Sequence, residues 1–187
     1  MSSAPVVAES TGLPGVLLLN LKTFSDSRGV VVETFNERTF ADAGVSGDFV
    51  QDNHSRSRRG VLRGLHFQKK APQGKLIRAI RGAIFDVAVD VRVGSPTFAQ
   101  WIGVTLTADS AQALWVPPGF AHGFCTLSEE ADVLYKCTGF YDPTDESGVV
   151  WNDTTVGIKW PVDDPVLSIR DAALPPLTDR EDLPRYV

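Results

Sequence analysis

The sequence predicts an all-β protein, a sandwich or barrel of short strands with short peripheral helices. Three observations carry this. Apolar runs of about four to eight residues recur along the chain, separated by turn clusters of Gly, Pro, Asp and Ser. The run AIFDVAVDVR at 83–92 alternates with the period of a strand. No stretch sustains the apolar period of a long helix. With 187 residues, 43% of them hydrophobic, the chain fits one domain, read over 1–187, with a substantial core.

The elements follow in order. VLLL at 16–19 reads as an early strand, and DSRG at 26–29 turns into a strand over 30–35. Residues 37–43 are the best helix candidate of the first half. Residues 50–53 look extended, and 55–59 read as a polar connector. GVLRGLHFQKKAPQGKLIR at 60–78 reads as two strands joined by a Pro/Gly loop, a hairpin. Residues 75–80 and 83–92 read as strands around a tight turn at Gly82. In the second, Ala83, Phe85, Val87 and Val89 make a wholly apolar face. Ile84, Asp86, Ala88 and Asp90 make a half-polar one, as in a sheet with one buried side. Strands follow at 101–106, 113–116, 123–127 and 133–138, with turns at GSP and PPG. Beyond Asp142 the chain is rich in Pro, Asp and Gly, with apolar islands at 149–151 and 158–160.

Composition removes several classes. A net charge of −5 and a pI near 5.1 do not suit a nucleic-acid surface. MSSAPVVAES lacks the basic start and long apolar core of a signal peptide, and no run approaches the ~18 apolar residues of a membrane span. The expectation is a cytoplasmic protein with no membrane partner. Cys125 and Cys137, both in apolar runs, read as reduced, buried thiols. There is no GxGxxG, P-loop, GxSxG or CxxC motif, which weakens dinucleotide, kinase, hydrolase and zinc-ribbon readings.

The chemistry concentrates where the core should be. Arg63, His66, Lys75 and Arg78 sit among Val61, Leu62, Leu65, Phe67, Leu76 and Ile77. A buried unpaired cation is costly, so one arginine alone would be read as half of an ion pair. Several in one hairpin point to an anionic ligand inside a barrel. Regular alternation would put Arg63 and His66 on opposite faces, and Gly64 between them can host a bulge that re-aims one side chain. PPGFAHGF at 117–124 contains the Pro-x-Gly-x-x-His pattern of the second motif of cupin barrels. Metal-binding cupins open their first motif with His-x-His; here His66 is followed by Phe67 and Gln68. With only His54, His66 and His122 in the chain, no metal site is expected. His54, in a polar run, reads as a surface residue. Taken singly, Tyr135 and Tyr141 read as packed aromatics with the hydroxyl at the rim, and Asp171 as a helix cap or loop residue.

Longer stretches extend the likeness. FSDSRGVVVETFN, QDNHSRSRRGVLRGLHFQ, PQGKLIR, FDVAVDVRVGSPTFAQW, LWVPPGFAHGF, LYKCTGFYDPTDESGVVWND and GIKWP with LSIRDAALP resemble the dTDP-4-dehydrorhamnose 3,5-epimerase family, from about residue 16 to residue 177. The resemblance implies a cupin-type jelly roll (double-stranded β-helix), a homodimer, and no metal, nicotinamide or other cofactor. It implies a dTDP-linked 4-keto-6-deoxy sugar as substrate. His66 matches the family's general base, Tyr135 its general acid, and Asp171 the carboxylate that orients the base. Lys75 matches the lysine beside the keto oxygen. Arg28, Glu33, Gln51, Asn53, Arg63, His122 and Glu146 match substrate-binding positions. Arg170 stands where other members carry lysine, still a cation suited to a diphosphate. Gly139-Phe140 replaces an Asn-Tyr pair, and Phe140 keeps an aromatic ring able to stack on the base.

These residues suit the chemistry. A hydrogen on carbon beside a ketone is weakly acidic, and a C4 keto sugar has two such carbons, C3 and C5. Inversion needs a base on one face, an acid on the other, and a positive group at the oxygen. Histidine, with an ordinary pKa of ~6.5, supplies the base; tyrosine, at ~10, keeps a proton to return. Double epimerisation at C3 and C5 is the leading expectation, and the departure at Gly139-Phe140 raises a single-site C3 or C5 epimerase as the alternative. A catalytically silent nucleotide-sugar binder is disfavoured by the presence of base, acid and lysine together.

Overall fold

Two antiparallel sheets face one another in a computed structural model that describes residues 4–186; residues 1–3 and 187 of the domain read from the sequence lie outside it. The six-stranded sheet runs β1 (Val6–Ser10), β2 (Leu17–Leu21), β10 (Gln112–Val116), β7 (Lys75–Arg81), β12 (Glu130–Cys137), β5 (Gln51–Arg58). The five-stranded sheet runs β13 (Glu146–Gly148), β6 (Leu62–Gln68), β11 (Phe120–Thr126), β8 (Ala83–Asp90), β9 (Trp101–Thr107). This is the cupin-type jelly roll that the motifs imply. A separate hairpin, β3 (Thr23–Asp26) and β4 (Gly29–Val32), pairs with itself. Two short helices, α1 (Glu37–Asp42) and α2 (Ile169–Ala172), and a 3-10 turn at Leu177–Asp179 lie at the periphery. No helix among the described residues is long and apolar enough to cross a membrane.

Three apolar clusters hold the layers together. Ile77, Ala79, Leu114, Val116 and Val133 of one sheet meet Ile84, Ala88, Leu106, Phe120 and Phe124 of the other in the space between them. Outside the six-stranded sheet, Leu19, Leu76 and Trp115 pack under Phe40 of α1. That helix starts at Asn36, whose side chain accepts from the Arg38 amide. Outside the five-stranded sheet, Val87 and Val89 pack under Val149, Val156, Ile158, Trp160 and Leu177.

Several expectations need correction. The wholly apolar face of β8 points away from the sheet interface, where the islands at 149–151 and 158–160 cover it; both faces of β8 are buried. Its half-polar face points inward. Residues 60–78 are not a hairpin: β6 and β7 belong to opposite sheets, and 69–74 carry the chain across. The turn at Gly82 makes the same crossing between β7 and β8. Its φ of +70° and the Glu130 carbonyl beside it leave no room for a side chain. The polar connector at 55–59 lies almost wholly within β5. Its sequence hides the strand because the inward residues, Gln51, Asn53 and Ser55, face a polar cavity instead of a core. Arg78 points outward, into a shallow depression with Leu134 and Lys136, and is not part of the cavity. His54 lies half exposed beside Asp132, at the surface as expected.

Candidate active site

Between the sheets, at one open end, lies a cavity of about 420 Å³. Arg63 and His66 of β6, His122 of β11 and Glu146 of β13 line one wall; Gln51 and Asn53 of β5, Lys75 of β7 and Tyr135 of β12 line the other. The two walls come from different sheets, so His66 and Tyr135 approach the cavity from opposite sides.

The local fold explains how β6 delivers both Arg63 and His66. On β11, His122 pairs with His66 but Phe124 pairs with Arg63, so three steps on β6 match two on its partner. The extra residue is a bulge that turns the regular alternation over between the two side chains. Gly64 sits in it with φ +128°, and a Cβ there would stand 2.5 Å from the Gly123 Cα. Only glycine fits both the backbone angle and the close approach.

His66 Nε2 lies 2.6 Å from Asp171 Oδ1. Asp171 is buried on α2, where Ser168 caps the helix by accepting from the Asp171 amide at 3.0 Å. Burial opposes ionisation of this carboxyl, but the hydrogen bonds from His66, Ser168 and the Gly64 backbone outweigh it and hold its pKa below the usual range. An ionised carboxylate only accepts, so Nε2 carries the hydrogen and Nδ1 is left as the basic nitrogen. Across the cavity, burial raises the Tyr135 phenol above its ordinary pKa, so it stays protonated at neutral pH. Burial lowers the Lys75 ammonium, opposed by the neighbouring Cys137, Glu146 and Asp86.

A second imidazole–carboxylate pair lies on the five-stranded wall: His122 Nε2 stands 2.6 Å from Asp86 Oδ1, with the Asp86 side chain fully buried. The sequence does not single out Asp86. Its signal was present in the half-polar face of β8, but alternation alone does not say which face turns inward. At the mouth, the Tyr141 hydroxyl donates to Glu146 Oε2 at 2.5 Å, and Arg170 pairs with the same carboxylate. Arg63 donates from Nε to Ser57 at 3.0 Å. Gln51 donates to Asn53 at 3.1 Å, and Asn53 to the Cys137 sulfur at 3.6 Å. Cys137 is buried as expected, yet it also lines the cavity, as does Tyr141.

Three expected residues lie elsewhere. Arg28 is 87% exposed in the β3–β4 turn, bound to Asp26. Glu33, just after β4, accepts from Asn36 and Thr39. Phe140 is 72% exposed and points outside the cavity; Tyr141 occupies the mouth instead. Among the described residues no cluster of three or more His, Cys, Asp or Glu side chains is arranged to hold a metal ion.

A cupin-type jelly roll that sets an imidazole–carboxylate pair and a protonated phenol on facing walls has the groups that an isomerase of the epimerase kind needs to remove and return a proton. The sequence profile of the dTDP-4-dehydrorhamnose 3,5-epimerase family matches residues 10–179, and the chain belongs to that family. It is 51% identical over 173 residues to a dTDP-4-dehydrorhamnose 3,5-epimerase of Salmonella typhimurium, covering 91% of this chain and 94% of the relative. A dTDP-4-dehydrorhamnose 3-epimerase of Streptomyces niveus is 41% identical over 94% of this chain and 87% of its own length. The fold superposes with a TM-score of 0.93 on the crystal structure of a Legionella pneumophila dTDP-6-deoxy-D-glucose-3,5-epimerase in complex with dTDP-4-keto-L-rhamnose. That pair is 44% identical over 97% of this chain and 99% of the other.

Proposed function

We propose that this protein epimerises dTDP-4-keto-6-deoxy-D-glucose at C3 and C5, giving dTDP-4-keto-L-rhamnose, by proton removal and return beside the C4 ketone. The observation that carries the reading is the opposition of His66 and Tyr135 across the cavity. His66, held by Asp171, removes the proton from one face. Tyr135 returns one to the other face, and Lys75 supports the enolate oxygen. Arg63 and Arg170 hold the diphosphate, while Gln51, Asn53, His122 and Glu146 contact the nucleotide sugar. This chemistry requires no cofactor, and the enzyme works in the cytoplasm as one domain.

We also infer a homodimer. Phe24 and Val31, cross-strand partners, leave an apolar face of the β3–β4 hairpin exposed, and Val30 is exposed on the opposite face. Arg28 and Glu33, matched to substrate positions, lie outside their own chain's cavity. A second copy of the chain would cover the apolar face and receive both residues into its site.

Incubation with dTDP-4-keto-6-deoxy-D-glucose in heavy water, followed by NMR, tests the reaction. Deuterium is expected at both C3 and C5, with inversion at both, and activity is expected to survive chelation. Exchange at one carbon only would replace the reading by a single-site epimerase. The motive for that alternative, Gly139-Phe140, is weakened because the Phe140 side chain does not reach the cavity.

A further inference from the structure

The segment leaving β12 carries Tyr141 to the cavity mouth, and glutamine side chains supply its hydrogen bonds. Gln73 Nε2 donates to the Gly139 carbonyl at 2.6 Å. Gln68 Nε2 donates to the Phe140 carbonyl at 3.3 Å, and Gln68 Oε1 accepts from the Asp142 amide at 2.8 Å. Gln51 Oε1 accepts from the Tyr141 amide at 2.9 Å. Among the described residues no backbone-to-backbone hydrogen bond serves Gly139, Phe140 or Tyr141. Without the glutamines, these groups would have only solvent as partner.

We propose that Gln68 and Gln73 are positioning residues that clamp loop 139–142 and so hold Tyr141 at the mouth beside Glu146 and Arg170. Both are buried, at 4% and 9% exposure, which is uncommon for glutamine and costly unless its amide is paired. They reach the loop from different places: Gln68 from the end of β6, and Gln73 from the crossover that follows. The loop is thereby tied to the five-stranded sheet and to the crossover at once. Tyr141 in turn meets Glu146, which pairs with Arg170 on the same helix as Asp171. The clamp therefore acts at Arg170, which is assigned to the diphosphate, on the cavity that also holds Tyr135 and Lys75. The inference rests on the substrate assignment made above.

Gln73→Met keeps the length and bulk of the side chain but cannot donate. In Gln73→Met the KM and the dissociation constant for dTDP are expected to rise roughly three- to tenfold, the worth of one hydrogen bond. Saturated proton exchange should stay within about twofold of wild type, because uniform binding is lost and not transition-state contact. If Gln73→Met unfolds in part, Gln68→Met with melting curves alongside carries the same expectation. Wild-type KM in folded variants, or kcat falling with an unchanged KM, would overturn the clamp. A wild-type enzyme that fails to exchange deuterium into the keto sugar would instead overturn the substrate assignment.

Discussion

His66 and Asp171 stand 2.6 Å apart although 105 residues separate them in the chain. The contact joins β6 to the short helix α2, and it fixes which imidazole nitrogen is free. Replacing His66 by Asn should abolish both deuterium exchange and inversion, because no enolate forms. Asp171→Asn should leave the fold intact but remove the anion that selects the tautomer. Each loss is expected at about 10²–10⁴-fold in kcat/KM. Tyr135→Phe should behave differently: exchange with retained configuration can persist while inversion is lost, since the base can return the proton to the face it came from. Parallel measurement of exchange and inversion by NMR separates these cases. A folded His66→Asn variant exchanging at the wild-type rate would refute the assignment.

Gly64→Ala should damage both stability and catalysis. The new Cβ meets the Gly123 Cα at 2.5 Å and the His122 carbonyl oxygen at 2.9 Å, in a backbone conformation with φ +128°. The expected cost is about 1–3 kcal/mol for the strained backbone alone. Because the bulge aims both Arg63 and His66, turnover in the folded fraction should also fall. Denaturant melts and initial rates on the same samples check this.

Asp90 predicts an acid limit to stability. It is buried and receives hydrogen bonds from Arg92, Ser95 and Thr97. Burial opposes its ionisation, but these partners prevail and lower its pKa to about 2. The unfolded chain holds the same group near the ordinary value of about 4, so the stabilisation is complete above that value. It is lost as pH falls through the folded value. The contribution is about 2 kcal/mol. Asp90→Asn should therefore be less stable at neutral pH and show a flatter loss between about pH 4 and pH 2. Urea denaturation across that range compares the two; parallel curves would assign the acid lability to other carboxylates.

The exposed hairpin predicts the oligomeric state. Sedimentation should find wild-type dimers, and Val31→Asp should shift them towards monomer with a parallel fall in activity. Arg28→Ala should leave the dimer intact and raise KM. A fully active monomer at nanomolar concentration would contradict both expectations.

Much of this architecture was legible in one dimension. The strand content, the turns and the absence of a long helix follow from local periodicity, which needs only neighbours along the chain. The cations and histidine within apolar strands marked the site, and the bulge at Gly64 was expected from the clash between alternation and function. The polar alternation of β5 was misread as a connector, because a strand facing a polar cavity lacks the apolar stripe that identifies strands. Only the tertiary structure decided which strands pair. The crossings at 69–74 and Gly82 send consecutive strands to opposite sheets, so that His66 and Tyr135 face one another and Asp86 comes to support His122. It also excluded Arg28, Glu33 and Phe140 from the chain's own cavity and brought in Tyr141. The physical reason is that a period of two states which residues share a face. Which face turns inward depends on the sheet laid against it, and that partner lies far away in sequence.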